Sequence, residues 1–379
     1  MIIISTVGKF HFLKLAEELN KKQSLSVFFS GYPKFRLKSD SINEKIISKS
    51  FFQTSFIILN KIVKFKYLKK FNHFCHLDFD LFVSKQLEKF DFNTFYGHSS
   101  SSLISGTKAK NLGKKFFCER SSCHIDFDID GIKEEYKKFN ITWDENYKKI
   151  VERENNEYEI ADKIIVPSSF AKNSFLNKGI NEKKIIVNNY GTNFKTLDRF
   201  IERDIGQTLN IIYVGICSIE KGIFYLLEAI RGLKNKNIHL NLVGQVDKQV
   251  KDLLKKYNND NKISFLGSKS HSEVKNLLSK SDILVMPSLR EGMSLTIGEA
   301  ISCGCAIIAT HNSGAGDVIV ENKEGFLVNA KDSNIIAEKI NFLYEDRVKL
   351  NEMRYNSFLK SRKLNNFSKY ADNIIKLSK

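Results

Sequence analysis

The sequence predicts an α/β protein of two parallel-sheet domains in tandem, and three observations carry this. The chain has 379 residues, more than one ordinary domain of roughly 100 to 200 residues holds. Short apolar runs alternate with stretches of helical periodicity, the pattern of a parallel sheet covered by helices. The alternation lapses over the polar stretch TNFKTLDRFIERDIGQT and restarts at Leu209. The boundaries follow: 1–195 as a first domain, 196–208 as a linker, 209–360 as a second domain and 361–379 as a terminal helix.

Each element has its own signal. IIIS is an apolar strand, FHFLKLAEELNKK has helical spacing, and LSVFFSG is a buried-strand pattern ended by glycine. Beyond a basic segment, FNTFYG, KKFFCE, KIIVP and KKIIVNN read as strands. Between them SSSSLISGTKAKNLG is a Ser-capped helix ended by Gly113, ENYKKIVERENNEYEIAD a charged helix and SSFAKNSFLNKG another capped one. In the second domain LNIIYVG, IHLNLVG, KISFLG, DILVMP and CAIIAT are strands, alternating with IFYLLEAIRGL, VDKQVKDLLKKY, SEVKNLLSKS and LTIGEAISCG as helices. NFSKYADNIIKLSK has the spacing of a packed helix; periodicity does not identify its partner, and packing back on the first domain is the expectation. Tandem units of this kind place ligands at the carboxyl ends of the strands, in the crevice between the domains.

Composition excludes several classes. No apolar run approaches the roughly 18 residues of a membrane span. MIIISTVG lacks the basic start and cleavage site of a signal peptide, so a cytoplasmic protein is expected, peripheral at most on the inner membrane face. Six cysteines (75, 118, 123, 217, 303 and 305) show no CxxC or Cys/His spacing and read as buried reduced thiols. The net charge of +17 partly reflects a Lys- and Asn-rich composition, but Pro33–Lys70 alone holds ten basic residues against Asp40 and Glu44.

The chemistry concentrates in the second domain. DILVMP is a continuous apolar strand, SLREGMS the loop at its carboxyl end and LTIGEAISCG the following helix, closed by Gly304. Backbone amides from Gly292 to about Thr296 then stand at a helix N-terminus, an anion site by geometry and dipole. Glu291 on the loop faces the crevice, and Glu299, one turn into the helix, reaches past an anion toward its attached group. Carboxylates beside a diphosphate make sense where they hydrogen-bond neutral hydroxyls, as on a sugar or ribose. In VGICSIEKG, Lys221 supplies a point charge near a helix start, and Gly215 and Gly222 permit close backbone approach. Taken singly, each feature also fits a solvated lysine, a turn glycine or a surface glutamate. Neither half has GxGxxG after its first strand, which argues against a dinucleotide-dependent dehydrogenase.

VGICSIEKGIFYLLEAI, FLG, SDILVMPS, EGMSLTIGEAISCGCAIIAT and EGFLV, in this order and spacing, resemble the second domain of retaining GT-B glycosyltransferases of the family-4 type. Glu291 and Glu299 match the Glu-x7-Glu motif of that family. HFLKLAEEL, CERSSCHI, IKEEY, ADKIIVPSSFAKNSFLNKG and NNYGTN have looser counterparts in its first domain. The resemblance implies two Rossmann-like doubly wound domains facing a central cleft. It also implies transfer of a hexose from a nucleotide-diphosphate sugar to a hydroxyl acceptor, a lipid-linked or polysaccharide glycan of the cell surface. Lys221 would grip the donor diphosphate, Glu291 contact the transferred sugar and Glu299 hold the ribose. Gly292, Met293, Ser294 and Leu295 would offer backbone amides, and the Gly8 loop would face them from the first domain. Many members carry an arginine after the glycine of VG; here Ile216 stands there, leaving Lys221 and the helix dipole to neutralise the diphosphate.

In the first domain His124, in ERSSCH after KKFFCE, is expected in the cleft, touching donor or acceptor. Glu119, Arg120 and His98 are weaker candidates. The alternative is that Glu119 and Arg120 pair with neighbours and His124 caps the next element. DFDIDG (Asp126–Gly131) opens like a calcium loop, but its twelfth position is Lys137, where calcium needs a bidentate glutamate. LDFD (Leu77–Asp80) reads as surface. No protein-bound metal or other cofactor is expected, the nucleotide sugar being a co-substrate. SFFQTSFIILNKIVKFKYLKKFNHF suits an amphipathic helix on an anionic bilayer, or a core-packed helix with a solvated lysine face. Residues 34–70 are therefore the expected membrane contact. Nucleic acid is not an expected partner, since no recognised binding module accompanies the basic residues. Two rival classes fit the same folds: a nucleotide-sugar epimerase, and a catalytically silent nucleotide-sugar binder.

Overall fold

Ile2, Ile3 and Ile4 are consecutive and all buried, which a strand covered on both faces allows. They lie in β1 (Ile2–Thr6) of a computed structural model. It describes residues 1–8, 11–37, 39–62, 68–141, 148–192, 197–200, 202, 208–234, 236–364 and 366–379, without the side chains of 60–62 and 68–70. Most of the stretch read as a linker thus lies outside the described residues.

From β1 the first half runs through α1 (Phe12–Lys21), β2 (Leu25–Ser30), β3 (Ile46–Ser48), α2 (Phe51–Ile62), α3 (Leu68–Gln86), β4 (Thr94–His98) and α4 (Leu103–Asn111). It continues with β5 (Lys115–Glu119), α5 (Ile125–Lys138), α6 (Lys148–Ile160), β6 (Lys163–Val166), α7 (Ser169–Leu176) and β7 (Ile185–Val187). The strands form one parallel sheet in the order β3-β2-β1-β4-β5-β6-β7. The second half comprises β8 (Leu209–Val214), α8 (Ile223–Gly232), β9 (Ile238–Val243), α9 (Lys251–Leu254), β10 (Ile263–Gly267), α10 (His271–Ser279) and β11 (Ile283–Met286). Then follow α11 (Leu295–Ser302), β12 (Ala306–Thr310), β13 (Gly325–Val328), α12 (Ser333–Glu345), α13 (Arg347–Ser361) and α14 (Phe367–Ser378). Its sheet, also parallel, has the order β10-β9-β8-β11-β12-β13.

The terminal helix α14 packs against α1 of the first domain. Tyr370, Ala371 and Ile374 join the core on that face of the sheet, and Lys22 pairs with Asp372 at 2.9 Å.

Helix α5 was not foreseen, because three aspartates and Gly131 lower helix propensity over its first two turns. Tertiary burial on two sides outweighs this. Ile125 and Ile129 join the core of the first domain, whereas Ile132 and Tyr136 join that of the second. Beyond its end Phe139 stacks on Phe224 with centroids 4.4 Å apart, and the Tyr136 hydroxyl donates to Glu220 at 2.6 Å. One helix therefore belongs to both cores and couples the domains.

LDFD is not surface. Asp80 is buried and accepts from the amides of Ile104 and Ser105 at 2.8 and 2.9 Å, opposite Arg153. The serines before α4 thus do not supply its cap; a carboxylate from α3 satisfies those orphan amides.

Candidate active site

In both sheets the strand order reverses beside the first strand: β1 lies between β2 and β4, and β8 between β9 and β11. At such a point successive crossovers leave opposite faces of the sheet and a crevice opens at the carboxyl ends. A cavity of about 340 Å³ lies there. His11, Ser121 and Tyr190 line it from the first domain, and Tyr213, Gly215, Lys221, Glu291, Met293, Ser294, Leu295 and Thr296 from the second.

The second-domain jaw is built by two loops pressed together. Gly222 caps α8 in a left-handed conformation (φ 67°), and a Cβ there would stand 1.9 Å from the carbonyl oxygen of Pro287. The Leu289 amide donates to Glu220 O at 2.9 Å. This brings Lys221 Nζ within 2.7 Å of Glu291 Oε1, while the Ser288 hydroxyl donates to Glu291 Oε2 at 3.0 Å. Burial pushes the neighbouring Glu220 carboxyl up, but the Tyr136 hydroxyl and the Arg290 charge contribute to holding it below its ordinary value.

Helix α11 opens on the cavity. Ser294 is its N-cap, and Leu295 and Thr296 occupy positions whose amides have no partner within the helix. The Ser294 amide donates to Ser313 O at 3.1 Å, so the expected row of free donors is interrupted there. Glu299 is not in the cavity lining. Its carboxylate lies 3.4 Å from His271 Nε2; burial pushes its pKa up, and the His271 charge opposes this.

The domains also touch at Gly292. The Ser168 hydroxyl donates to its carbonyl at 2.5 Å, and a Cβ at 292 would lie 2.4 Å from Ser121 O and 2.7 Å from Pro167 Cγ. The absent side chain thus serves domain contact as well as any ligand. The Gly8 amide donates to its own loop, to Thr6 Oγ1 at 3.3 Å, and Lys9 and Phe10 lie outside the described residues. Ile216 is 54% exposed, its carbonyl taking the Tyr213 hydroxyl at 2.7 Å.

None of the first-domain candidates, His98, Glu119, Arg120 and His124, is in the cavity lining. His124 is buried and caps α5, its ring accepting from the Asp126 amide at 3.3 Å while packing on Tyr158 and Phe175. Burial pushes its pKa down to about 4. Arg120 pairs with Asp128 at 3.0 Å and Glu154 at 2.9 Å. His98 contacts Ser121 Oγ at 3.3 Å, and burial pushes its ring down to about 3. The aspartates of DFDIDG are engaged likewise: Asp126 with Asn155, Asp128 with Arg120 and Arg290, Asp130 with Lys178.

Residues 194–360 match the family described as glycosyl transferases group 1. This part of the chain is a glycosyltransferase group 1 domain. A segment of 180 residues is 31% identical to an uncharacterized glycosyltransferase of Methanocaldococcus jannaschii, covering 48% of this chain and 49% of that one. Another of 188 residues is 28% identical to the N,N'-diacetylbacillosaminyl-diphospho-undecaprenol alpha-1,3-N-acetylgalactosaminyltransferase of Campylobacter jejuni, covering 46% and 49%. The chain spans about half the length of these curated relatives. Among solved structures, Anabaena HepE in complex with UDP superposes with a TM-score of 0.69 at 14% identity over 99% of this chain and 98% of that one. Sucrose-phosphate synthase of Thermosynechococcus elongatus does so with 0.69 at 18% identity over 99% and 97%. The fold is GT-B.

Facing the glycosyltransferase group 1 domain stands a residue that sequence reasoning passed over. His11 carries its Nε2 2.6 Å from Glu119 Oε1. Glu119 is buried and takes the hydroxyls of Tyr96, of Tyr190 and Tyr370 (both 3.2 Å) and of Ser121 (3.4 Å). Burial pushes the Glu119 carboxyl up, but the charge and hydrogen bond of His11 and the Tyr96 bond together hold it below the ordinary range. In the sequence His11 was one residue of a helical pattern, and the signal that could have singled it out was its place just after the loop of the first strand.

Proposed function

We propose that the protein is a retaining glycosyltransferase that moves a hexose from a nucleotide-diphosphate sugar to a hydroxyl of a lipid-linked or polysaccharide glycan. One observation carries the reading: Lys221 and Glu291, 2.7 Å apart, face one cavity beside the α11 N-terminus. A cation and orphan amides suit the charge that develops on a departing diphosphate, and a preorganised carboxylate suits sugar hydroxyls. Lys221 binds a phosphate oxygen, the amides of Leu295 and Thr296 share that load, Glu291 accepts from the transferred sugar, and Glu299 holds the ribose. Retention follows if the acceptor oxygen arrives on the face the diphosphate leaves, its proton passing to a phosphate oxygen. HepE, described with bound UDP, supports a nucleotide donor; the Campylobacter relative, named for a diphospho-undecaprenol acceptor, supports a lipid-linked one.

No protein-bound metal takes part in this scheme, and turnover should survive a chelator. The test is incubation with a panel of nucleotide sugars and undecaprenyl-diphosphate-linked acceptors, with the product anomer read by NMR. A retained anomer is expected. Inversion sinks the retaining reading, and an epimerised donor without acceptor replaces it with an epimerase.

We also propose that the acceptor's membrane is met through residues 34–70, at the inner face of the cytoplasmic membrane. Phe35, between Lys34 and Arg36 in the chain, is 75% exposed, and Phe51 and Ile58 are 74% and 54% exposed. Exposed apolar side chains in a basic segment suit an anionic bilayer. Lys38, Lys64 and Lys66 and the side chains of Lys61, Lys69 and Lys70 lie outside the described residues. Among the described residues no helix is long and apolar enough to cross a membrane. Co-sedimentation with anionic but not neutral liposomes at low salt is expected; equal recovery with both removes the idea.

A further inference from the structure

We propose that His11 is a second basic contact to the donor's diphosphate, standing on the first-domain jaw opposite Lys221 and positioned by Glu119. This rests on the nucleotide-sugar reading above. Among the described residues lining the cavity, His11 and Lys221 are the two basic side chains. Lys221 already faces Glu291 at 2.7 Å, so its charge is shared before any ligand enters. Beside it the exposed residue at 216 is an isoleucine and adds no charge. A diphosphate entering from this side meets one shared cation and the α11 amides, and the remaining charge falls to the facing domain.

The build of the first jaw suits that task. His11 is fixed by contact with Phe12 and Tyr190, at centroid distances of 4.6 and 4.3 Å, and by Glu119 at 2.6 Å. It also stands at the N-terminus of the ten-residue helix α1, where the dipole adds to the attraction for an anion. A ring N–H of His11 can donate to a phosphate oxygen in the cavity. Glu119 spreads its charge over four hydroxyl donors besides the ring, so the ring is not its sole counterpart. Glu119 is not in the cavity lining and acts through His11, as a positioning residue.

The experiment compares calorimetric binding of UDP, GDP, ADP and CDP with that of each matching monophosphate. For the base that binds, wild type should prefer the diphosphate. His11→Gln and His11→Ala should each weaken diphosphate binding about tenfold, the size of one charge-assisted hydrogen bond. Monophosphate binding should stay within about twofold. Glu119→Gln should shift the same ratio in the same direction by less, a readout that general destabilisation does not move. Equal losses for mono- and diphosphate, or an unchanged ratio in both His11 variants, overturn the inference while leaving the donor reading in place. A wild-type protein that binds none of the diphosphates overturns the donor reading itself, and this inference with it.

Discussion

The two jaws of the cleft are assembled in opposite ways. In the second domain Glu291, Ser294, Leu295 and Thr296 follow one another on a single strand, loop and helix, with Lys221 pressed in from the loop after β8. In the first domain the jaw gathers His11 from α1, Glu119 and Ser121 from the end of β5, Tyr96 from β4, Tyr190 from beyond β7 and Tyr370 from α14. A local jaw depends on one turn geometry. A gathered jaw depends on every element that contributes to it, so damage to it should show in stability as much as in activity.

The sharpest way to break this comparison is Glu119→Ala. It leaves the His11 ring and buried tyrosine hydroxyls without their acceptor, at an expected cost of about 3 to 5 kcal/mol. Guanidinium unfolding followed by circular dichroism measures it; a loss below about 1 kcal/mol would mean the cluster reorganises freely. Lys221→Ala should do the reverse. Lys221 is half-buried and its only ion pair among the described residues is with Glu291, so unfolding should barely change. Transfer should fall about 100- to 1,000-fold, as when one group stabilising transition-state charge is removed. Equal damage to stability and rate in both variants would erase the distinction.

This difference also explains what could be read from the sequence. The strand, loop and helix around Glu291 were legible because apolar run, glycine and helix period are contiguous, and the two parallel sheets followed from the alternation alone. The first jaw was not legible, because His11 and Glu119 meet only once β1 and β5 share a sheet with β4 between them. His124 looked the better candidate through its neighbours in the chain, yet its ring caps the helix that follows. Helix α5 was hidden for a related reason: its composition opposes a helix, and the two cores that stabilise it lie in different domains.

Gly292 lies where the jaws meet and sharpens the comparison further. Gly292→Ala places a methyl against the carbonyl of Ser121 and the ring of Pro167, backbone and a stiff side chain that cannot turn aside. Overpacking of this kind costs about 1 to 3 kcal/mol. Here the simplest relief is to part the domains, so the loss should fall on closure: a larger radius of gyration in small-angle scattering and a raised donor KM, with each domain still folded. An unchanged radius and KM would show that Gly292 is not the point on which the domains close.

The smallest expected effect separates the domains by pH. Burial pushes His76 and His124 down to about 4 and His98 to about 3, against 6.5 for the free side chain, and all three sit in the first domain. The sign follows from proton counting. Below pH 6.5 the unfolded chain takes up protons that these buried rings refuse, so the rings' contribution to stability falls as the medium is acidified, while Glu157, held up at about 8 by burial, contributes with the opposite sign. The loss begins near pH 6.5 and levels off near 4 for His76 and His124, and near 3 for His98. Each ring contributes at most about 1.4 kcal/mol per pH unit inside its window. His124→Gln removes one such contribution, since an amide oxygen can still accept from the Asp126 amide but does not titrate. The slope of unfolding free energy against pH between 6 and 4.5 should therefore be shallower in His124→Gln than in wild type. Lys221→Ala, in the other jaw, should keep the wild-type slope; a shallower slope there would mean that acid sensitivity is not confined to the first domain.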